Sequence, residues 1–150
     1  KVKPEKKELG FVGAPTEIKK DLLLEAIKDK KIPLIVPMGI GEDSNIYNIN
    51  ADVAAGAIAK ELKARRLLLM TDVEGVLDQN QKLISEINSS IATQMLENKS
   101  ISGGMIPKIK TCLDAVNNGV TGVVIVDGRK QHSILFEIFS DVGAGTLIRK

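Results

Sequence analysis

The chain is poor in the residues that mark several large classes of protein. Its single cysteine, Cys112, excludes an intrachain disulfide and favours a reducing compartment. With no tryptophan, three phenylalanines and one tyrosine, it lacks the stacking platforms of single-strand nucleic-acid binders. No apolar run approaches the roughly 18 residues that span a bilayer, and no apolar segment follows the basic start as in a secretory signal. We therefore expect a cytoplasmic protein with neither nucleic acid nor membrane among its partners.

The charge of the chain is also close to balanced. A net charge of +2 at pH 7 gives no reason to expect a polyanion-binding surface. Hydrophobic residues make up 43% and charged residues 27%, which is typical of a globular protein. A length of 150 residues suits one domain of ordinary size. We predict a single domain over residues 1–150, with Cys112 as a small core residue of a helix.

Short apolar runs alternate along the chain with longer segments of helical periodicity. Runs without polar alternation indicate strands that are buried on both faces, and strand–helix alternation indicates a parallel sheet. The pattern therefore predicts an α/β protein. The predicted strands are 8–13, 32–39, 65–72, 121–128 and 143–150, and the predicted helices are 17–31, 51–62, 89–98 (with a serine cap), 106–118 and 132–141.

Ligands of open α/β sheets bind beyond the carboxyl ends of the strands. That rule selects three loops as candidate sites: "PMGIGED", "TDVEGVLD" and "VDGRK". In the second loop, Asp72 and Gly75 lie where a nucleotide could bind; the alternative is a tight turn followed by a hairpin-like excursion, since "DQNQ" has turn chemistry. We assign no chemistry to Arg129 or His132, because a lone histidine is more often a surface residue than a catalyst.

The segment "SGGMIPKIK", residues 102–110, has the features of an anion site. Two glycines precede a helix with Pro107 in its first turn, where free N–H groups and the helix dipole favour negative charge. Lys108 lies in the same turn and opposes the dipole, at a cost of a few tenths of a kcal/mol. Such a broken local rule is expected at functional sites. The alternative is a glycine-rich turn with a solvated lysine.

The segment "NINADVAAGA", residues 48–57, places three polar side chains before a helix of small residues. Asn50 or Asp52 can cap that helix and contribute around 1 kcal/mol. One residue is enough for this purpose, so Asn48 is left without a structural reason. Asp52 could also hold a neighbouring ammonium group. From this stretch alone, capping is slightly favoured.

Together these segments resemble a known family. "YNINADVAAGAIA", "LLLMTDVEGVLD", "SGGMIPKI" and "GAGTLI" occur in this order and at these separations in N-acetylglutamate kinases, of the amino-acid kinase family. The resemblance runs from "LGFVG" to "GAGTLI" and corresponds to the C-terminal half of that family. It implies an α/β fold with a mostly parallel sheet sandwiched by helices. The family's N-terminal substrate lobe, with its glycine-rich loop, lysine and arginine, has no counterpart here.

The resemblance also implies an activity and its residues. The reaction would be ATP-dependent phosphorylation of the side-chain carboxylate of N-acetyl-L-glutamate, with Mg²⁺ bridging the phosphates and no protein metal ligand assigned. Asn48 would bind the amino-acid substrate, Lys108 would reach the transferring phosphoryl group, and Asp52 would organise the catalytic lysines. The residues that would border the nucleotide are Asp72, Val73, Glu74, Gly75, Val76, Leu77, Ser100, Ile101, Ser102, Gly103 and Gly104.

Several alternatives remain open from the sequence. Because the N-terminal lobe is missing, we expect this chain alone to have little or no kinase activity. The competing interpretation is a non-catalytic nucleotide- or effector-binding subunit, and a homo-oligomer is possible in either case. Some relatives are inhibited by arginine near the C-terminus, where His132 lies, but Val142 offers no carboxylate there. Arginine sensing is left open.

Overall fold

The computed structural model of the chain describes residues 1–5 and 7–150, without the side chain of Lys7. These residues form two compact units, Lys1–Leu62 and Lys63–Lys150. The expectation of one domain over residues 1–150 stays a prediction beside this division. Among the described residues, no helix has the length and apolar content needed to cross a bilayer.

The first unit contains two antiparallel strand pairs and two helices. Strand β1 pairs with β2 and β3 pairs with β4, and isolated bridges join Val2 to Gly41 and Val12 to Asn48. The buried core of this unit includes Val2, Tyr47, Ile49 and Ala54. Its elements are β1 (Val2–Pro4), a 3-10 turn (Lys7–Leu9), β2 (Gly13–Pro15), α1 (Lys20–Lys28), β3 (Met38–Ile40), β4 (Ile46–Asn48) and α2 (Ala51–Glu61).

The second unit is built on a four-stranded sheet of order β5-β7-β8-β6. The β5–β7 and β6–β8 pairs are parallel, and the β7–β8 pair is antiparallel. This confirms the predicted α/β fold with a mostly parallel sheet. Its elements are β5 (Arg66–Thr71), β6 (Glu86–Asn88), α3 (Ser89–Glu97), α4 (Met105–Asn117), β7 (Gly122–Asp127), α5 (Ser133–Phe139) and β8 (Gly145–Arg149).

Strand β7 forms the centre of the core. All six of its residues are buried, as expected for an apolar strand with neighbours on both sides. Helix α4 packs against β7 and β8 and buries Ile109, Cys112, Ala115 and Val116. Cys112 is fully buried, so the prediction of a small core residue is confirmed. Strand β5 differs from the prediction, because it lies at a sheet edge and Met70 is 45% exposed.

The predicted buried strand over residues 32–39 is wrong. No strand precedes Met38 in this segment, and Ile32 and Leu34 are each 96% exposed. The physical reason is the pair Pro33 and Pro37, which have no backbone N–H to donate to a sheet. Only β3 forms, and it is an antiparallel hairpin strand rather than a parallel one.

Three smaller predictions are corrected by the structure. The predicted strand over residues 8–13 is wrong, because this segment holds the end of the 3-10 turn and a bend, and β2 begins only at Gly13. Strands β1 and β6 were not expected. The cap of α3 is not a serine: Asn88 Oδ1 accepts the Ile91 N–H at 2.8 Å, so Ser89 is already the first helical residue.

The cap of α2 gives a direct test of local stability. Asn50 Oδ1 accepts the N–H groups of Asp52 at 3.0 Å and Val53 at 3.3 Å. We expect Asn50→Ala to lower the free energy of unfolding by about 1 kcal/mol, since both N–H groups lose their acceptor. Asn50→Asp keeps an acceptor oxygen and is the matched control. Urea unfolding followed by circular dichroism measures both, and equal stability of Asn50→Ala and the wild type would contradict this role.

Candidate functional site

A cavity of about 740 Å³ opens in the second unit between two chain segments. One segment follows β5, and the other links α3 to α4. Both polar and apolar side chains line it, as is typical of small-molecule sites. The lining residues are Val73, Gly75, Val76, Leu77, Asp78, Gln79, Gln81, Ile84, Met95, Asn98, Lys99, Ser100, Ile101, Ser102 and Met105.

The first wall is a hairpin, which agrees with the turn chemistry of "DQNQ". Leu77 and Leu83 form an antiparallel bridge, and the Asp78 N–H donates to the Lys82 carbonyl at 2.8 Å. The Asp78 carboxylate closes the tip, because its Oδ1 accepts the N–H groups of Asn80 and Lys82, each at 2.8 Å. The hairpin therefore holds its shape by its own hydrogen bonds.

The second wall follows the end of α3. Asn98 caps the turn, since its Oδ1 accepts the Ser100 N–H at 3.0 Å and the Ser100 hydroxyl at 2.6 Å. Ile101 is buried, and its N–H donates to the Met95 carbonyl at 3.3 Å. Ser102 then leads the chain along the cavity into the start of α4.

Seven of the eleven residues predicted to border a nucleotide line this one cavity. They come from two segments more than twenty residues apart in sequence, and the fold brings them together. The other four residues do not line the cavity, although each is close in sequence to residues that do. Lining the cavity are Val73, Gly75, Val76, Leu77, Ser100, Ile101 and Ser102, and outside it are Asp72, Glu74, Gly103 and Gly104.

The glycine pair before α4 presents open backbone. Gly103 has φ = +57°, which favours glycine, and a Cβ added at Gly103 or Gly104 would meet nothing within 4 Å. The expectation of free N–H groups needs a correction, because Met105 and Ile106 donate to the Ser102 and Gly103 carbonyls. Both bonds are long, at 3.3 Å, so they are weak competitors for an anion.

Lys108 lies one turn into α4 and is half-buried. Because side chains of a helix lean toward its N-terminus, this position suits a lysine that serves a ligand at the helix start. Its role stays a prediction.

The candidate residues of the first unit meet at the junction of β4 and α2. Asn50 is the cap, which agrees with the capping interpretation of this stretch. Asn48 ends β4 with an exposed side chain, while its N–H donates to the Phe11 carbonyl at 2.8 Å. Asp52 is half-buried in the first turn of α2. The convergence of Asn48 and Asp52 with Lys108 on one ligand remains a prediction.

The sequence analysis missed an ion pair at the carboxyl end of β7. Asp127 is 2% exposed, and its two carboxylate oxygens accept from Nε and Nη2 of Arg129, each at 2.9 Å. These bonds and that of the Arg129 N–H hold the pKa of Asp127 at about 2, and they raise the pKa of Arg129. In the sequence, Asp127 could have been noticed because it is a charged residue at the end of the strongest apolar run.

Two contacts next to this ion pair connect the loop that follows β7 to the loop that follows β5. The Gly128 N–H donates to the Thr71 carbonyl at 2.8 Å. Lys130 Nζ lies 2.7 Å from Oε1 of Glu74, which belongs to the predicted nucleotide segment. An exposed ion pair of this kind contributes at most about 1 kcal/mol to the free energy of unfolding.

Among residues 1–5 and 7–150, no group of three or more histidine, cysteine, aspartate or glutamate side chains is placed to hold a metal ion. We therefore assign no residue as a metal ligand.

The chain resembles known proteins in both sequence and fold. The model of the amino acid kinase family matches residues 1–127. The acetylglutamate kinase of Pelagibacter ubique is 60% identical over 97% of this chain, and that of Rhodospirillum rubrum is 53% identical over 95%. Among solved structures, the N-acetylglutamate synthase of Neisseria gonorrhoeae complexed with coenzyme A and L-arginine superposes with a TM-score of 0.88. It is 23% identical and matches 95% of this chain and 33% of its own, so it supports the fold alone.

The chain spans about half the length of the curated relatives it matches. It covers 51% of the Pelagibacter protein and 46% of the Rhodospirillum protein. The cavity and the glycine pair therefore lie in the half of the relatives that this chain matches.

The Asp127–Arg129 pair predicts a specific dependence of stability on pH. The folded-state pKa of about 2 lies below the ordinary 3.8, so the stabilisation is present above pH 4 and is lost as the pH falls toward 2. We expect Asp127→Asn to unfold at lower urea concentration than the wild type at pH 7, and this difference to shrink between pH 4 and pH 2. The exposed pair of Glu86 and Arg149 supplies the control variant Arg149→Gln. A difference that is constant from pH 7 to pH 2 would contradict the assignment.

Proposed function

Because the chain belongs to the amino acid kinase family, we propose that it is the nucleotide-binding part of an acetylglutamate kinase. The reaction is phosphorylation of the side-chain carboxylate of N-acetyl-L-glutamate by ATP, a step of arginine biosynthesis in the cytoplasm. The observation that carries the proposal is the cavity of the second unit, which collects seven predicted nucleotide residues from two segments.

The cavity has the size and the lining that a nucleotide needs. Ligand sites commonly enclose about 300–1,000 Å³, and about 740 Å³ falls within this range. Val76, Ile101 and Met105 supply apolar surface for a base, and Asp78 and Ser102 supply polar groups that can fix its orientation. These contacts support binding without a P-loop, which the sequence does not contain.

The phosphates are assigned to the glycine pair and the start of α4. Open backbone at Gly103 and Gly104 allows close approach, and the N-terminal dipole of the helix favours negative charge. Lys108 adds a positive charge for the transferring phosphoryl group. Phosphoryl transfer is accelerated mainly by positioning and by neutralising charge on the phosphoryl oxygens, and these residues provide both. Mg²⁺ entering with the nucleotide would neutralise further phosphate charge, and no residue of this chain is assigned to hold it.

The substrate side is assigned to the junction of β4 and α2. Asn48 binds N-acetyl-L-glutamate through its exposed amide, and Asp52 orients the catalytic ammonium groups. Partners of this chain are ATP, N-acetyl-L-glutamate and the remaining half of the kinase, with a second copy of the chain as a further possibility for assembly. Nucleic acid and membrane are not among them.

A second candidate function is a non-catalytic nucleotide- or effector-binding subunit. The cavity supports it equally, because room for a nucleotide does not depend on whether catalysis follows. Nucleotide binding cannot separate the two candidates, because both bind. A complementation experiment separates them. The half of the Pelagibacter ubique relative that this chain does not match is added to the chain, and catalysis appears only if the chain is part of a kinase.

The role of Lys108 is tested in that restored system. We expect the chain and the complementary half to release ADP together in the presence of ATP, Mg²⁺ and N-acetyl-L-glutamate. Lys108→Ala should reduce that rate at least 100-fold, because one charge at the transferring group is lost. Lys110→Ala, an exposed lysine of the same helix, is the control and should stay within threefold. A Lys108→Ala rate within tenfold of the wild type would mean that this lysine has another role.

Gly104→Ala separates ligand binding from folding. Gly104 has φ = −65°, which alanine also adopts, and its added Cβ would meet open space, so the substitution should change the free energy of unfolding by less than about 1 kcal/mol. We expect binding of Mg·ATP, measured by calorimetry, to weaken at least fivefold, because the methyl group occupies the place assigned to the phosphates. Ser90→Ala, at an exposed position of α3, is the matched control. Unchanged affinity in Gly104→Ala would remove the phosphates from this loop.

A further inference from the structure

Thr146 connects the hairpin that follows β5 to the sheet. It lies in β8 opposite Ile125 of β7 and is fully buried. Its Oγ1 accepts the Val76 N–H at 2.8 Å and donates to the Ile84 carbonyl at 2.7 Å. A buried hydroxyl needs partners for its proton and its lone pairs, and the two ends of the hairpin supply them.

These bonds close the base of the hairpin. The Ile84 N–H donates to the Val76 carbonyl at 2.9 Å, so Val76, Ile84 and Thr146 form one connected group. Six of the cavity-lining residues lie between Val76 and Ile84 inclusive. The hydroxyl therefore contacts both strands of the hairpin at its base through two hydrogen bonds.

Two glycines make this close contact possible. A Cβ added at Gly145 would collide with the Ile125 carbonyl, so only glycine lets β8 approach β7 here. A Cβ added at Gly75, where φ is +146°, would lie 2.6 Å from Oγ1 of Thr146. Close contact thus accounts for Gly75 and for Gly145 and Thr146, the last two residues of the "GAGT" motif, none of whose residues lines the cavity.

We propose that Thr146 is a positioning residue for nucleotide binding, whose hydroxyl holds the hairpin 76–84 in place as one wall of the cavity. The inference rests on the proposed function, because the ligand is a nucleotide only if that function holds. It assigns the effect to the hydroxyl rather than to the bulk of the side chain. Serine keeps the hydroxyl without the methyl group, and valine keeps the shape without the hydroxyl.

The first test compares Mg·ATP affinity among variants of the full 150-residue chain by calorimetry. Thr146→Val should bind at least tenfold more weakly than the wild type, and Thr146→Ser should stay within threefold. Ile148→Val is the matched control, because Ile148 is also fully buried in β8 and is not part of the hydroxyl contact. A folded Thr146→Val that binds within twofold of the wild type overturns the proposal, as does an equal loss in Thr146→Ser and Thr146→Val.

The second test uses the unmodified chain, so it holds even if Thr146→Val does not fold. The Val76 amide should exchange its hydrogen at least tenfold more slowly than that of Gln79 at the exposed hairpin tip, measured by nuclear magnetic resonance. Equal exchange rates overturn the Thr146 contact as a positioning device. Absence of Mg·ATP binding by the wild type instead contradicts the proposed function, and it removes the nucleotide role of Thr146 with it. The two failures are therefore distinguishable.

Discussion

The burial of β7 between two partner strands is the constraint on which the second unit depends. Every residue of β7 is buried, so both of its edges must satisfy their backbone groups by pairing. The parallel register with β5 sets Thr71 opposite Asp127, and both strands therefore end level. The antiparallel register with β8 sets Thr146 opposite Ile125. The Asp127–Arg129 pair follows the first of these pairings, and the contact of Thr146 with the first wall of the cavity lies at the second.

From the level ends of β5 and β7, two loops start side by side and are joined by short contacts. The Gly128–Thr71 hydrogen bond and the Lys130–Glu74 ion pair link them, while Thr146 anchors the hairpin farther along. The first wall of the cavity is thus held from the sheet and not only by its own turn. A reaction that depends on positioning more than on covalent help needs such a preorganised wall.

The sequence predicted the features that depend on neighbouring residues and missed those that depend on distant ones. The run "GVVIVD" has no polar alternation, so a strand buried on both faces was the only economical interpretation. Seven residues that the family resemblance assigned to a nucleotide line one cavity, and their role in binding stays a prediction. Thr146 was missed because its partner Val76 lies 70 residues away, and no local pattern encodes that contact. Asp127 is a local exception: its partner Arg129 lies only two residues away, and its place at the end of a buried apolar strand was the signal that could have found it.

The failed strand over residues 32–39 has a consequence for the behaviour of the chain in concentrated solution. Leu34, Ile35 and Val36 form an exposed apolar run of the composition that builds cross-β assemblies. Pro33 and Pro37 enclose it and leave only three residues between them, shorter than the roughly five to seven that such stacking needs. The two prolines therefore act as gatekeeper residues. They have no N–H to donate, so they interrupt the intermolecular backbone hydrogen bonds that an aggregate of this exposed apolar segment would need.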